Sequence, residues 1–373
     1  MNTSSNRQIR WGVVGCGQIA VDRTIPAIHA ASQAVLVAVA DPIAEQRHLA
    51  AAIGNRNEST TERPTEHPVR QYADYSDLIR DPEVDAVYIA LPTHMHLESV
   101  LRTVYAGKPI LCEKPLGRSA DEVLQMVNAA RNARVPLMTA YMSRFGSAFV
   151  DARQSALSGA IGQITFVYAD FSYTANTAYP LGVPGAWRWT DPLGGGPLLD
   201  IGIYLAFGLR EILDDTIAVV GAYQGDTIAP IGAANHDTTA AWFRTVKGVP
   251  GALASTFSHN ECCIRLYGTK GAIEIVDCFS QNPTGRVLRT DASGRSVPEV
   301  PINQPASPRL FEHYLREIAH CSDCLIEGRE PRPSPEEALL DALLLDALKS
   351  SGQQGGLPVN IPALDSYVQR IPK

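Results

Sequence analysis

The sequence lacks an excess of basic residues and any long apolar run. Its 373 residues include 32 Lys and Arg against 39 Asp and Glu, which gives a formal net charge of −7. Proteins that bind nucleic acid need a basic surface, and a bilayer span needs about 20 consecutive apolar residues. The N-terminal segment 1–8 is polar and lacks the apolar core of a signal peptide. We therefore expect no nucleic-acid partner, no membrane association and a cytoplasmic location.

Cysteine frameworks and metal-ligand sets are also missing. Seven cysteines are an odd number without the spacing of a disulfide framework or a zinc site, so we predict free thiols and no bound metal. Cys321 and Cys324 form a Cys-x-x-Cys pair inside a helical pattern and are interpreted as structural. His94 and His96 lie two residues apart, but no acidic residue or cysteine completes a ligand set with them.

Two different patterns divide the chain. Up to residue 145, short apolar runs alternate with helical segments, which predicts a doubly wound parallel sheet, the Rossmann fold. Over 146–330, longer strands with alternating polarity predict a second α/β domain with a large, open, mostly antiparallel sheet. We expect residues 331–373 to form a C-terminal helix and tail that pack back on the first domain.

A glycine turn follows the first predicted strand, as in dinucleotide-binding proteins. Gly15 permits the tight turn, Gly17 lets the backbone approach a pyrophosphate, and Ala20 allows close packing of helix on strand. Asp41 ends the next strand near the spacing expected for the carboxylate that binds the ribose. This acid disfavours a 2′-phosphate, so we expect NAD rather than NADP. The predicted cofactor loop also includes Gln18 and Ile19.

The charged pair Glu113-Lys114 stands at the end of a short apolar strand, where proline follows. Ligands of open α/β sheets bind at the carboxyl ends of the strands, so we expect Lys114 to reach the reacting centre. The end of the preceding strand is predicted to border the same crevice. Further residues predicted to contact the cofactor are Leu91, Pro92, Thr93, His96, Glu113 and Arg144.

A second glycine-rich element, 194–204, precedes an apolar helix in the other half of the chain. Asp200 and Tyr204 are four residues apart and are predicted to share one helical face. The nearby Trp187-Arg188 pair is predicted to contact the cofactor or to close the site. Substrate specificity is assigned to the sheet and to the loop 174–190, with Tyr173 and His259 as candidate substrate ligands beside Lys114, Asp200 and Tyr204.

Together these motifs resemble the Gfo/Idh/MocA oxidoreductase family over nearly the whole chain. The resemblance rests on Gly15-x-Gly17-x-x-Ala20, on Leu-Pro-Thr-His at 91–94, on Glu113-Lys114-Pro115, and on the element that runs from Gly194 to Tyr204. It implies NAD(P)-dependent hydride transfer at a secondary alcohol, ketone or hemiacetal carbon of a sugar, polyol or sugar derivative. It also implies a homodimer or homotetramer formed through the open sheet face.

The resemblance further implies that Lys114 is the catalytic lysine and Asp200 the acid that positions the substrate. Tyr204 stands where many members have histidine, which is similar to the branch of glucose–fructose oxidoreductase and of the dimeric dihydrodiol and xylose dehydrogenases. Tyr204 is assigned as acid/base and Lys114 as proton relay, although the two could exchange roles. The alternatives are a non-catalytic, NAD-dependent sugar-sensing or regulatory protein of the same fold and, from the glycine loop alone, a methyltransferase.

Overall fold

The computed structural model describes residues 7–55, 68–175, 187–190, 195–229, 233–279, 285–297 and 312–368. The chain divides into two compact units. Unit 1 comprises Met1–Gly117, Gln125–Phe145 and Pro305–Glu336, and unit 2 comprises Arg118–Leu124, Gly146–Gln304 and Glu337–Lys373.

Unit 1 contains a six-stranded parallel sheet. The strands are β1 (Ile9–Val14), β2 (Ala34–Ala40), β3 (Arg70–Tyr72), β4 (Ala86–Ile89), β5 (Ile110–Glu113) and β6 (Leu137–Ala140). Their spatial order, β3-β2-β1-β4-β5-β6, is that of a dinucleotide-binding Rossmann domain. Strands β4 to β6 are almost wholly apolar and buried because helices cover both faces of such a sheet. The predicted parallel sheet is confirmed.

The helices between these strands follow the predicted alternation. They are α1 (Ile25–Ala30), α2 (Ala44–Gly54), α3 (Tyr75–Arg80), α4 (His96–Tyr105) and α5 (Ala120–Ala133). Strand β3 was not predicted, because Arg70–Tyr72 is too short and polar to give a strand pattern.

Unit 1 also includes α9 (Glu312–Glu327), which differs from the predicted assignment of 146–330 to the second domain. Trp11, fully buried on β1, donates its indole N–H to Ser322 Oγ on α9 at 3.1 Å. Gln33 and Asp323 add a second hydrogen bond between the same regions. A strand face left open by the local helices is thus covered by a helix about 300 residues further along the chain.

Unit 2 contains a nine-stranded sheet. Its strands are β7 (Ile164–Ser172), β8 (Ile217–Gly225), β9 (Thr238–Thr245), β10 (Pro250–Thr256), β11 (Glu261–Gly268), β12 (Gly271–Val276), β13 (Arg286–Asp291), β14 (Ser296–Val297) and β15 (Val359–Asn360). The order is β14-β13-β12-β11-β7-β10-β9-β8-β15. Among the described strands of this sheet, only β7 and β10 pair in parallel, so the predicted, mostly antiparallel sheet is confirmed.

The remaining helices of the described chain are α6 (Ser147–Leu157), α7 (Trp187–Thr190), α8 (Ile203–Leu213), α10 (Pro335–Gln353) and α11 (Leu364–Val368). Segment 331–373 was predicted to pack on residues 1–145, and Asp346 on α10 accepts the backbone N–H of Ala120 on α5 at 2.8 Å. All but the first two residues of α10 belong to unit 2. The reason is a buried ion-pair cluster. Arg210 on α8 contacts Asp341 at 2.8 and 3.1 Å and Glu337 at 3.2 Å. Separating one partner from such a buried cluster is strongly destabilising.

All seven cysteines are free thiols, as predicted. Cys321 and Cys324 are buried on α9, which fits their structural interpretation. Within the described ranges, no helix is both long and apolar enough to cross a bilayer.

Candidate active site

The glycine loop after β1 has a shape that fits a dinucleotide. Gly15 has φ of +88°, and a Cβ there would lie 2.7 Å from the carbonyl oxygen of Ala90, so glycine is required. A Cβ on Gly17 would meet no atom within 4 Å, so this backbone is open to an approaching phosphate. Ala20 is fully buried where the chain enters the π-helical turn Ala20–Thr24. Gln18 is exposed and Ile19 half-buried beside this opening.

Asp41 links the second strand to the glycine loop. Its Oδ2 accepts the backbone N–H of Cys16 at 2.8 Å, and its Oδ1 accepts that of Ile43 at 2.9 Å. A carboxylate has about four acceptor positions, so lone pairs remain for the two hydroxyls of a ribose. The guanidinium of Arg47 donates to the backbone oxygen of Asp41 at 2.6 Å. This arginine lies six residues after Asp41 and was not identified from the sequence.

His96 joins two loops at the carboxyl edge of the parallel sheet. Its Nε2 lies 2.8 Å from the carbonyl oxygen of Leu91, and its Nδ1 lies 2.9 Å from that of Pro115. The ring is 1% exposed, so His96 acts as a brace between the loops rather than as a group directed at the cofactor. Thr93 is also buried, whereas Pro92 is exposed and Leu91 half-buried at the start of the turn Thr93–Met95.

Glu113 holds the segment that carries Lys114. The Tyr88 hydroxyl donates to Glu113 Oε1, and the backbone N–H of Lys114 donates to Oε2 at 3.1 Å. Burial raises the pKa of Glu113, while the Tyr88 hydrogen bond and the positive charge of Lys114 lower it, with a net rise. The Glu113 carboxyl group therefore fixes the backbone at Lys114, and its predicted contact with the cofactor stays a prediction. Lys114 is half-buried.

A second buried acid, Glu317 on α9, lies in the same electrostatic neighbourhood. It is 2% exposed, and among the described residues its Oε1 has no hydrogen-bond partner. Burial, and then the charge of Glu113, raise its pKa well above the ordinary value. Sequence reasoning missed Glu317, yet a signal exists: the acid occupies a position on the apolar helix face that Tyr314 and Cys321 define.

Arg144 follows β6 within the turn Met142–Phe145 and is half-buried. Its positive charge contributes, after burial, to lowering the pKa of His320 on α9. Gly15, Leu91, Lys114 and Arg144 therefore all lie just beyond the carboxyl ends of strands in one parallel sheet, which is where such sheets bind their ligands.

In unit 2, Asp200 is bound by two of the predicted site residues. Its Oδ2 accepts the Tyr173 hydroxyl at 2.9 Å and the Arg188 Nε–H at 2.7 Å. The Asp200 side chain is 8% exposed. Burial, and then the negative charge of Asp200, raise the pKa of Tyr173, so its phenol stays neutral and donates the hydrogen bond. The Trp187 side chain and Gly194 lie outside the described residues.

Tyr204 packs on the same side of the sheet as Asp200. Its ring lies 5.5 Å from those of Phe171 and Phe279, and the residue is 6% exposed. Phe171 contacts Tyr204, and Tyr173 donates a hydrogen bond to Asp200. Because Phe171 and Tyr173 are two residues apart and point to the same face, Asp200 and Tyr204 both lie on this side of β7. The turn Leu198–Gly202, which contains Asp200, is π-helical. Such bulges are frequent at functional sites, and the residue pattern does not reveal them.

His259 lies on the opposite face of the sheet. Its Nε2 is 3.5 Å from Asp170 Oδ2, and Asp170 also accepts the hydroxyls of Tyr168 and Ser172. Because Asp170 and Phe171 are neighbours on β7, their side chains point to opposite faces. His259 is therefore not brought to Asp200 and Tyr204 as predicted for a substrate ligand. Trp189, in the loop 174–190 to which substrate specificity was assigned, is 4% exposed and packs against Phe257.

Comparisons with known proteins give the family. The family model described as "Oxidoreductase family, NAD-binding Rossmann fold" matches residues 9–141, and the "GFO/IDH/MocA C-terminal domain" matches residues 149–274. Trans-1,2-dihydrobenzene-1,2-diol dehydrogenase of Mus musculus is 30% identical over 354 residues, covering 92% of this chain and 97% of that protein. The chain belongs to the GFO/IDH/MocA oxidoreductase family.

Other GFO/IDH/MocA-related proteins match over a similar length. The dTDP-3,4-didehydro-2,6-dideoxy-alpha-D-glucose 3-reductase of Actinomadura kijaniata is 26% identical over 358 residues, with 94% of this chain and 98% of that protein covered. The crystal structure of aldose-aldose oxidoreductase from Caulobacter crescentus complexed with glycerol has a TM-score of 0.82 at 25% identity. The match covers 95% of this chain and 100% of the Caulobacter crescentus chain.

The family resemblance inferred from the motifs is thus confirmed, and so is the NAD-binding Rossmann domain. Relatives in the GFO/IDH/MocA family include oxidoreductases named for sugars and sugar derivatives. The roles of individual side chains rest on the geometry above and on their match to the motifs.

Proposed function

We propose that this protein is an NAD-dependent dehydrogenase or reductase that acts on a CH–OH group of a sugar, polyol or sugar derivative. The observation that carries the proposal is the carboxyl edge of the unit 1 sheet. The open backbone at Gly17 follows β1, and Asp41 follows the adjacent strand β2. Lys114, whose backbone is held by Glu113, follows β5 of the same sheet. A binding protein needs the glycine loop, but it does not need an ammonium group held at this edge.

The chemistry divides between cofactor and protein. A bound nicotinamide supplies the hydride acceptor or donor at its C4 atom. The chain must orient the substrate carbon and move the proton of the hydroxyl group. We assign this proton to Tyr204, the relay and electrostatic support to Lys114, and the orientation of the hydroxyl to Asp200. The Glu113 carboxyl holds the Lys114 backbone, and Tyr173 and Arg188 hold the Asp200 carboxylate.

The cofactor preference follows from Asp41. Its carboxylate oxygens are held by the N–H groups of Cys16 and Ile43, so the negative charge is fixed beside the glycine loop. A 2′-phosphate there would meet this charge, whereas two ribose hydroxyls can donate to it. These contacts support NAD as the cofactor in preference to NADP.

The names of the relatives suggest the substrate class. The mouse relative is named for a 1,2-diol on a six-membered ring, and the Actinomadura relative for reduction of a dTDP-linked keto sugar. Both names describe an oxygen function on a ring carbon. We therefore propose a cyclic polyol or pyranose as substrate, oxidised or reduced at a secondary carbon or at the hemiacetal carbon.

A substrate panel tests this function. Purified protein with NAD is offered aldoses, inositols, amino sugars, sugar phosphates and a trans-dihydrodiol, while the near-ultraviolet absorbance of NADH is followed. The reverse reaction is tested with NADH and the oxidised counterpart of each compound, a lactone or a ring ketone. Saturable NADH formation or consumption with one of these compounds supports the proposal. NAD binding without hydride transfer to any of them would favour the regulatory alternative.

We also propose that the open face of the unit 2 sheet joins two or four copies of the chain. This face exposes four aromatic residues, of which Tyr223 is 64% and Trp242 46% exposed. The Trp242 indole lies against Gly221, where a Cβ would be 2.3 Å from Nε1, so the face is flat as well as apolar. Exposed apolar patches of this kind mark association sites. Aromatic residues Phe166 and Tyr267 complete the set.

Light scattering after size exclusion tests the assembly. We expect a dimer or tetramer for the native chain and a monomer for Trp242→Glu, because a buried unpaired charge would oppose association. Tyr105→Glu is the matched control, since Tyr105 is an aromatic residue of unit 1 that is 80% exposed. A monomeric native protein would contradict the proposal.

The free thiols support our assignment of the protein to the reducing cytoplasm.

A further inference from the structure

A cavity in unit 1 lies at the opposite edge of the parallel sheet from the glycine loop. It has a volume of about 500 Å³, within the range of small-molecule sites. Ile9, Asp85, Pro109 and Pro136 line it, and each stands at or just before the amino end of a strand. Gly15 and Lys114 follow the carboxyl ends of the same strands, so strands of four to six residues separate the two edges.

The lining of this cavity is basic in a protein whose net charge is −7. Four arginines and two acidic residues contribute to it, which leaves two positive charges in excess. The arginines come from the start of β1, from the end of α5 and from the segment after α9. They are Arg7, Arg131, Arg134 and Arg329, and the acids are Asp85 and Glu330.

Both acids already have arginine partners. Asp85 is held by Arg10, with guanidinium contacts of 3.0 and 2.7 Å, and Arg10 does not line the cavity. Glu330 contacts Arg131 at 2.5 Å. Arg329 is paired with Glu327, outside the lining.

Within the described part of the chain, two of the lining arginines therefore have no carboxylate partner. Among the residues that the structure describes, neither Arg7 nor Arg134 has a carboxylate within 4.0 Å. Arg7 is still close enough to contribute to the lowered pKa of Asp85, where the Arg10 contacts outweigh the opposing effect of burial. Arg134 has φ of 55°, a left-handed conformation that glycine adopts more readily than arginine. The helix dipole at the end of α5 favours a cation there, but it does not explain Arg7, two residues before β1, or the cavity between the two arginines.

We propose that this cavity binds a small multivalent anion, either a phosphate group or a di- or tricarboxylate, between Arg7 and Arg134. Arginine recognises both kinds of anion through paired N–H donors. A bound anion would connect the start of β1, the end of α5 and the segment after α9. The site is separate from the cofactor loop, and the proposal holds whether or not the hydride-transfer function does.

Isothermal titration calorimetry of the full chain tests the site, with NAD kept saturating so that the cofactor loop is occupied. Inorganic phosphate and citrate are titrated separately to distinguish the two kinds of anion. We expect one saturable site for at least one of them, with affinity that falls as salt rises. Arg7→Gln and Arg134→Gln should each weaken binding about tenfold, since each removes charge-assisted hydrogen bonds. Arg134→Lys should retain part of the affinity.

Arg80→Gln is the matched control, because Arg80 is an exposed arginine of unit 1 on α3 and does not line the cavity. It should bind the anion as the native protein does. Thermal unfolding without anion verifies that the variants fold. The proposal is overturned if neither anion binds saturably at millimolar concentrations, or if the Arg7→Gln/Arg134→Gln double variant binds as tightly as Arg80→Gln.

Discussion

Replacing Gly15 and Gly17 separately by alanine should separate folding from cofactor binding within one loop. At Gly15, φ of +88° costs an L-residue about 1–2 kcal/mol. The new Cβ would lie 2.7 Å from the Ala90 carbonyl oxygen, and relieving such an overlap costs about 1–3 kcal/mol more. The expected loss for Gly15→Ala is therefore about 2–5 kcal/mol of unfolding free energy.

Gly17→Ala should behave in the opposite way. Its Cβ meets no atom within 4 Å, so we expect the unfolding free energy to change by less than about 1 kcal/mol. The methyl group would nevertheless stand where a phosphate approaches the backbone. Loss of one charge-assisted hydrogen bond, worth about 1.5–3 kcal/mol, would weaken NAD binding at least about tenfold.

Urea denaturation and NAD titration by calorimetry measure the two effects on the same protein samples. The native chain and Gly107→Ala serve as controls, since Gly107 has φ of +72° but no neighbour within 4 Å of a Cβ. It should show the backbone cost without the overlap. The reasoning is refuted if Gly17→Ala binds NAD with native affinity, or if Gly15→Ala is no less stable than Gly107→Ala.

Two further predictions concern Asp41 and Glu317. Asp41→Ser should relax the preference for NAD over NADP by at least about tenfold, because it removes the charge that opposes a 2′-phosphate while Arg47 stays nearby; an unchanged ratio of the two dissociation constants would show that Asp41 does not contact the ribose. The pKa of Glu317 is raised in the folded state, so the folded chain holds this proton more tightly than the unfolded chain. The native protein therefore has its full unfolding free energy below the ordinary pKa of 4.5 and loses part of it as pH rises through the folded pKa. Glu317→Gln should thus be increasingly stabilised relative to the native chain as pH rises above the ordinary value of 4.5, as measured by denaturation at several pH values. A difference in unfolding free energy that is independent of pH would contradict this.

The cofactor half of the candidate site was largely predictable from sequence. The Gly15 turn, Asp41 and Lys114 each follow a short apolar strand, and strand ends of a parallel sheet meet at one edge by topology alone. What these residues contact was less predictable. His96 and Glu113 were expected to touch the cofactor, yet their polar atoms bind carbonyl oxygens, a phenol and a backbone N–H.

The differences have a common physical origin in long-range packing. Trp11 on β1 donates a hydrogen bond to α9 across 311 residues of sequence, and Arg210 on α8 donates one to α10 within unit 2. No local pattern indicates which surface such a helix covers. His259 differs for another reason. It lies between β10 and β11, where strand alternation does not fix the direction of a side chain, and its contact with Asp170 shows the face on which it lies.

The most direct test of the central claim is turnover by Lys114→Ala on the best substrate from the panel. Lys114 follows β5 at the edge that holds the glycine loop, and its backbone is fixed by Glu113. We predict that the variant binds NAD with nearly native affinity and loses hydride transfer by at least about a hundredfold, as expected for removal of a proton-transfer group. Native turnover in Lys114→Ala would contradict the account.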